Sequence, residues 1–164
     1  MELEPLTELP PNKAVKDVLG DLLGRDVDVR LANDRTPVGP ENLTMEAVYV
    51  DDQMGTRAVI VTDLALTAYC ATAIGLVPPA RAEAAIEHGG LADALVENIS
   101  EVFNIMASLF NRHGAPHVRL YAWYPPGEAA PADIADLTSA YIGRTDLDID
   151  IAGYGAGQMG IIIA

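Results

Sequence analysis

Glu101 and Asn104 stand three residues apart within the stretch 91–112, LADALVENISEVFNIMASLFNR. On a helix that spacing makes surface neighbours of a carboxylate and a carboxamide. The first accepts hydrogen bonds and the second both donates and accepts, so the pair could act together on whatever meets the helix from outside. Other chemistry-bearing patterns are weaker. Gly155-x-Gly157-x-x-Gly160 has dinucleotide spacing, but no helix-forming length follows it to receive a pyrophosphate, and it reads as turn chemistry. Asp146-x-Asp148-x-Asp150 begins like a calcium loop, yet Ile151 takes the glycine position and Gly157 the bidentate glutamate position, which leaves the wet face of a strand. His113 and His117 flank Pro116 with no third ligand nearby, and Cys70 has no basic partner, so neither a metal centre nor a nucleophilic cysteine is expected. There is no Walker loop and no serine with triad partners.

The element that must position the pair is a long amphipathic helix over 91–112, about five to six turns. Leu95, Ile99, Val102, Phe103, Met106 and Phe110 recur on one side, which must be buried. Asp93, Glu97, Ser100, Glu101, Asn104, Ser108 and Asn111 form the opposite, polar stripe.

Around it the chain reads as alternating structure. Asn12–Leu23 carries apolar residues at helical spacing and stops at Gly24. The segment 26–31 alternates Val27, Val29 and Leu31 inward against Asp28 and Arg30, as a half-buried strand does. Residues 33–42 are loop, and Met45–Asp51 and Thr56–Thr62 form a hairpin across Asp51 to Gly55. Thr62 or Asp63 caps a helix over 64–75, with Cys70 in its core stripe, and another spans 80–88. Val118–Tyr124 is a strand with Val118, Leu120, Ala122 and Tyr124 on one face, ended by Pro125-Pro126, and 132–141 is a short helix. Segments 146–152 and 159–163 make a last hairpin through a glycine-rich link, 153–157. The layout is α+β, a mostly antiparallel sheet of about six strands with helices packed on it.

Composition narrows the class. A chain of 164 residues suits one domain, here 12–164 behind a flexible tail, 1–11. Apolar runs fall short of the ~20 residues of a membrane span, and the acidic start has no signal-peptide pattern, so a cytoplasmic protein is expected. The single cysteine agrees with a reducing compartment. Twenty-four acids against ten Lys and Arg give a net charge of −14, which argues against nucleic acid and anionic membranes as partners.

Glu101-x-x-Asn104 on an amphipathic helix, followed about twenty residues later by Pro125-Pro126, resembles the signature helix of the CheC/CheX family of chemotaxis phosphatases. The order of elements is similar to single-unit members over roughly nine tenths of the chain. The resemblance implies a domain that docks on the phosphorylated receiver domain of a response regulator and hydrolyses its aspartyl phosphate. Asn104 would place the water and Glu101 would engage the regulator's active-site lysine, while Glu97 and Ser108 would help to bind the partner. Mg²⁺ is expected on the receiver, and no cofactor is expected on this chain. The alternative is a non-catalytic interaction module of the same fold. Phe103 and Ser108 stand where members usually carry glycine. A homodimer, through an apolar edge strand near 161–163, is also implied.

Overall fold

The structure is a computed structural model and describes residues 6–164. Its elements run α1 (Asn12–Leu23), β1 (Val27–Leu31), β2 (Met45–Asp51), β3 (Thr56–Thr62), α2 (Leu64–Ile74), α3 (Pro79–His88), α4 (Asp93–Met106), β4 (Val118–Tyr124), α5 (Ala132–Thr138), β5 (Arg144–Ile151) and β6 (Gly155–Ile163). The six strands form one sheet in the order β1-β5-β6-β3-β2-β4, and every neighbouring pair is antiparallel. The α+β architecture expected from the sequence is the one observed. Of the tail expected over 1–11, residues 1–5 lie outside the described part. Beyond them Thr7 and Pro10 are buried and Leu9 packs on the core.

One sheet face carries the main core, to which α1 contributes Val15, Leu19 and Leu23, and α4 its whole apolar stripe. The central helix α2 is buried on nearly every side, from Leu66 to Ala73, because it lies between the sheet, α3 and α4. A Cβ on Gly157 would come within 2.6 Å of the Leu66 amide nitrogen and of Asp63 Oδ1, and one on Gly155 within 2.6 Å of the Tyr69 ring. These two glycines therefore let α2 lie directly on β6. The link expected over 153–157 is shorter than the sequence suggested, since Gly155 and Gly157 belong to the strand. Asp63 caps α2 through Leu66 N–H at 2.8 Å and also accepts from Gln158 N–H at 3.0 Å, tying the helix start to the same strand.

The second face holds a smaller core of Val48, Val50, Val59, Val61, Ile134 and Ile162, roofed by α5. Strands β2 and β3 are thus covered on both sides, which explains their near-continuous apolar sequence.

Four expectations are corrected. Segment 161–163 is no edge: β6 pairs with β5 on one side and β3 on the other, so it cannot seat a second copy, and the edges are β1 and β4. Leu31 does not face inward but is 68% exposed at the end of the short outer strand. In β4 the alternation breaks, because Val48 pairs with Ala122 and Tyr49 with Leu120, leaving Tyr121 as a bulge. Past it Trp123 joins Leu120 on the main core while Tyr124 packs on the second face. The helix expected over 132–141 stops at Thr138, where Arg144 Nη1 donates to the carbonyls of Thr138 at 2.8 Å and Ala140 at 2.9 Å.

Candidate functional site

Helix α4 starts at Asp93, whose carboxylate lies in the first turn and complements the positive end of the helix dipole. Leu95, Ile99, Val102, Phe103 and Met106 are buried, as the periodicity required. Glu97, Glu101 and Asn104 are exposed, one turn apart, and Ile105 borders them at 37% exposure. Among the described residues no hydrogen bond or ion pair engages the side chain of Glu101 or Asn104. Both groups are free to meet another molecule. Ser108 is exposed as well, but it lies in the 3-10 turn Ala107–Leu109 that follows α4.

The long helix expected over 91–112 thus ends early. The cause is what its last residues bind. The Phe110 ring packs against Tyr49 at 5.2 Å between centroids. Asn111, expected to face only solvent, donates from Nδ2 to the Val118 carbonyl at 2.9 Å and accepts from Val118 N–H at 2.8 Å. Its amide therefore pairs with the first residue of β4 as another strand would, and the chain leaves the helix to reach it.

Three contacts hold α4 in place, none of them legible in the sequence. Tyr49 Oη, reaching from β2, donates to the Phe103 carbonyl at 2.6 Å in the buried interior. Asn98 Nδ2 donates to the Ala71 carbonyl at 3.0 Å and ties α4 to α2. Gly75 gives Asn98 the room, since a Cβ there would come within 2.6 Å of its Nδ2. The third is the Asn111 amide. Phe103, where the resemblance led one to look for glycine, is fully buried, so its ring adds nothing to the outer face of the helix.

The fold that presents this face is CheX-like. No protein-family model matches the sequence, and no curated protein matches it significantly. Among solved structures the chain is similar to the FliM middle domain from H. pylori, at 12% identity and a TM-score of 0.59 over 93% of this chain and 84% of that one. It is similar to FliY from Thermotoga maritima, at 16% identity and a TM-score of 0.58 over 95% and 85% of the two chains. It is also similar to a chain of the CheX-CheY-BeF3-Mg²⁺ complex from Borrelia burgdorferi, at 12% identity and a TM-score of 0.52 over 92% and 93%. At these identities the likeness is one of fold. No helix among the described residues is long and apolar enough to cross a membrane.

Proposed function

We propose that this chain is a CheC/CheX-type domain that lays the outer face of α4 against a phosphorylated response-regulator receiver domain and accelerates hydrolysis of its aspartyl phosphate. The observation that supports this most is the pair Glu101 and Asn104, exposed and uncommitted on a helix otherwise tied to sheet and neighbour.

An aspartyl phosphate is a mixed anhydride. Water forms the new P–O bond, the bond to the aspartyl oxygen breaks, and carboxylate and inorganic phosphate leave, the water's proton passing to phosphate or solvent. The receiver's own Mg²⁺ neutralises charge, so what an outside protein adds is a water held in line. Asn104 suits that task because Oδ1 accepts from the water while Nδ2 donates to a phosphoryl oxygen. Glu101 pairs with the receiver's lysine ammonium and fixes the depth of insertion, and Glu97 and Ser108 extend the contact along the same face. A cytoplasmic location belongs to this reading. So does a homodimer, whose contact would use β1 or β4 rather than β6.

The test is dephosphorylation of phosphorylated receiver domains in Mg²⁺, with wild type against Asn104→Ala and Glu101→Ala. Acceleration by wild type that falls by about two orders of magnitude in Asn104→Ala supports the reading. Absence of acceleration across the host's receivers refutes it and leaves the second reading, a non-catalytic interaction module. That alternative draws on the likeness to the FliM middle domain, at a TM-score of 0.59 against 0.52 for the CheX complex.

A further inference from the structure

A groove of about 390 Å³ runs between α3 and α4, on the flank of α4 beside the Glu101 stripe. It is lined by the buried Ala85 and Leu95 and the exposed Ala84 and Ala94, and Arg81 and His88, both exposed, line it as well. Arg81, Ala84, Ala85 and His88 follow one another at i, i+3, i+4 and i+7, so a single face of α3 presents two small residues between two basic ones. Small side chains on facing helices leave room for another chain to approach closely, and an alanine-lined trough accepts an apolar side chain with little cost in displaced contacts.

The charge of its lining decides what would fill it. The chain holds ten Lys and Arg against twenty-four acids, and nearly every base is committed. Lys13, Arg30, Arg57, Arg112 and Arg144 pair with carboxylates. Arg25, Arg35 and Arg119 bond a carbonyl or sulfur. Arg81 and Lys16 have no ion pair, hydrogen bond or ring contact among the described residues, and of these two Arg81 is the one exposed beside the apolar trough. In so acidic a protein an uncommitted arginine there is matched to carboxylates from outside.

We infer that the α3/α4 groove docks an acidic amphipathic helix of a protein partner, with its apolar anchors on Ala84 and Ala94 and its carboxylates against Arg81 and His88. The site is separate from Glu101 and Asn104 and does not depend on the phosphatase reading.

The test uses the whole chain and three synthetic helical peptides: one with leucine at i, i+3, i+4 and i+7 among glutamates, one of the same pattern with lysines, and a scrambled acidic peptide. Fluorescence anisotropy should show saturable binding of the patterned acidic peptide alone, weakened about tenfold by Arg81→Glu and by raised salt. Ala84→Trp, which fills an exposed trough rather than the core, should remove binding, and amide shifts should map to Ala84, Ala94 and Leu95. Equal binding of the lysine or scrambled peptide, shifts confined to the Glu101 face, or no binding of the acidic peptide would overturn the inference. So would self-association through α3 and α4, seen as a dimer in sedimentation that Ala84→Trp dissolves.

Discussion

Tyr49 and Phe103, fifty-four residues apart in the chain, are joined by a hydrogen bond of 2.6 Å from the tyrosine hydroxyl to the phenylalanine carbonyl, inside the core. The bond fixes the turn of α4 from which Asn104 projects, so β2, the strand beside the sheet edge β4, sets the height of an exposed side chain. Burial pushes the Tyr49 phenol well up, which keeps it a donor throughout the working pH range.

Tyr49→Phe removes the hydroxyl and leaves a buried carbonyl with one partner fewer. A loss of about 1–3 kcal/mol in unfolding free energy is expected, read from urea denaturation. If α4 presents a catalytic face, receiver dephosphorylation should fall further than stability alone explains, with circular dichroism unchanged.

Among the described residues Arg144 and Asp146 form the most enclosed ion pair, their side chains 5% and 10% exposed and their contact doubled at 2.8 and 2.9 Å. Burial pushes the Asp146 carboxyl up, but hydrogen bonds from Arg144 and from Thr36 N–H outweigh it, and the net shift is downward. A carboxyl lowered on folding contributes stability above its unfolded value, about 3.9, and that contribution is lost as pH falls through the folded value. Asp146→Ala should cost about 3–5 kcal/mol at neutral pH, since Arg144 keeps a buried charge with no counterion. In a pH titration of the melting temperature, the variant's curve should flatten below about pH 4 relative to wild type.

The sequence disclosed what repeats and concealed what bonds. Helix α4 and its two faces were legible because Leu95, Ile99, Val102, Phe103 and Met106 recur with helical period, and Glu101 and Asn104 fell on the far side by the same arithmetic. The order of sheet strands was not, since β6 inserts between β5 and β3 and nothing in its composition distinguishes an interior strand from an edge. The bulge at Tyr121 was invisible for a related reason: period two continues in the sequence while the register against β2 slips by one. Asn111 looked like a solvent-facing amide, and Asn98 fell in neither stripe of the helix. Their partners, the Ala71 and Val118 backbones, are distant features that no local pattern marks.

The glycines of β6 offer a direct test of how closely α2 rests on the sheet. Gly157→Ala would place a carbon 2.6 Å from Leu66 N, a backbone atom that cannot rotate away, and 2.6 Å from Asp63 Oδ1, which can turn aside only by giving up its cap on α2. The helix start must then lift, and about 1–3 kcal/mol of stability should be lost. Gly90→Ala is the control, with nothing within 4 Å of its Cβ, and should change the urea midpoint little.

Cys70 tests the interior of α2. Its thiol is 1% exposed, and burial, with a smaller contribution from the Asp63 charge, pushes its pKa up to about 12. Thiolate is the reactive form, and at pH 8 almost none is present even if a reagent could reach it. Native protein should therefore leave an aromatic disulfide reagent unreacted over a time in which urea-unfolded protein reacts fully. Residual reaction should slow as urea is lowered, because only opening of the core exposes the thiol. Rapid native reaction, unaffected by urea below the unfolding transition, would mean that α2 is not enclosed by β6, α3 and α4, and the support beneath the Glu101 face would have to be sought elsewhere.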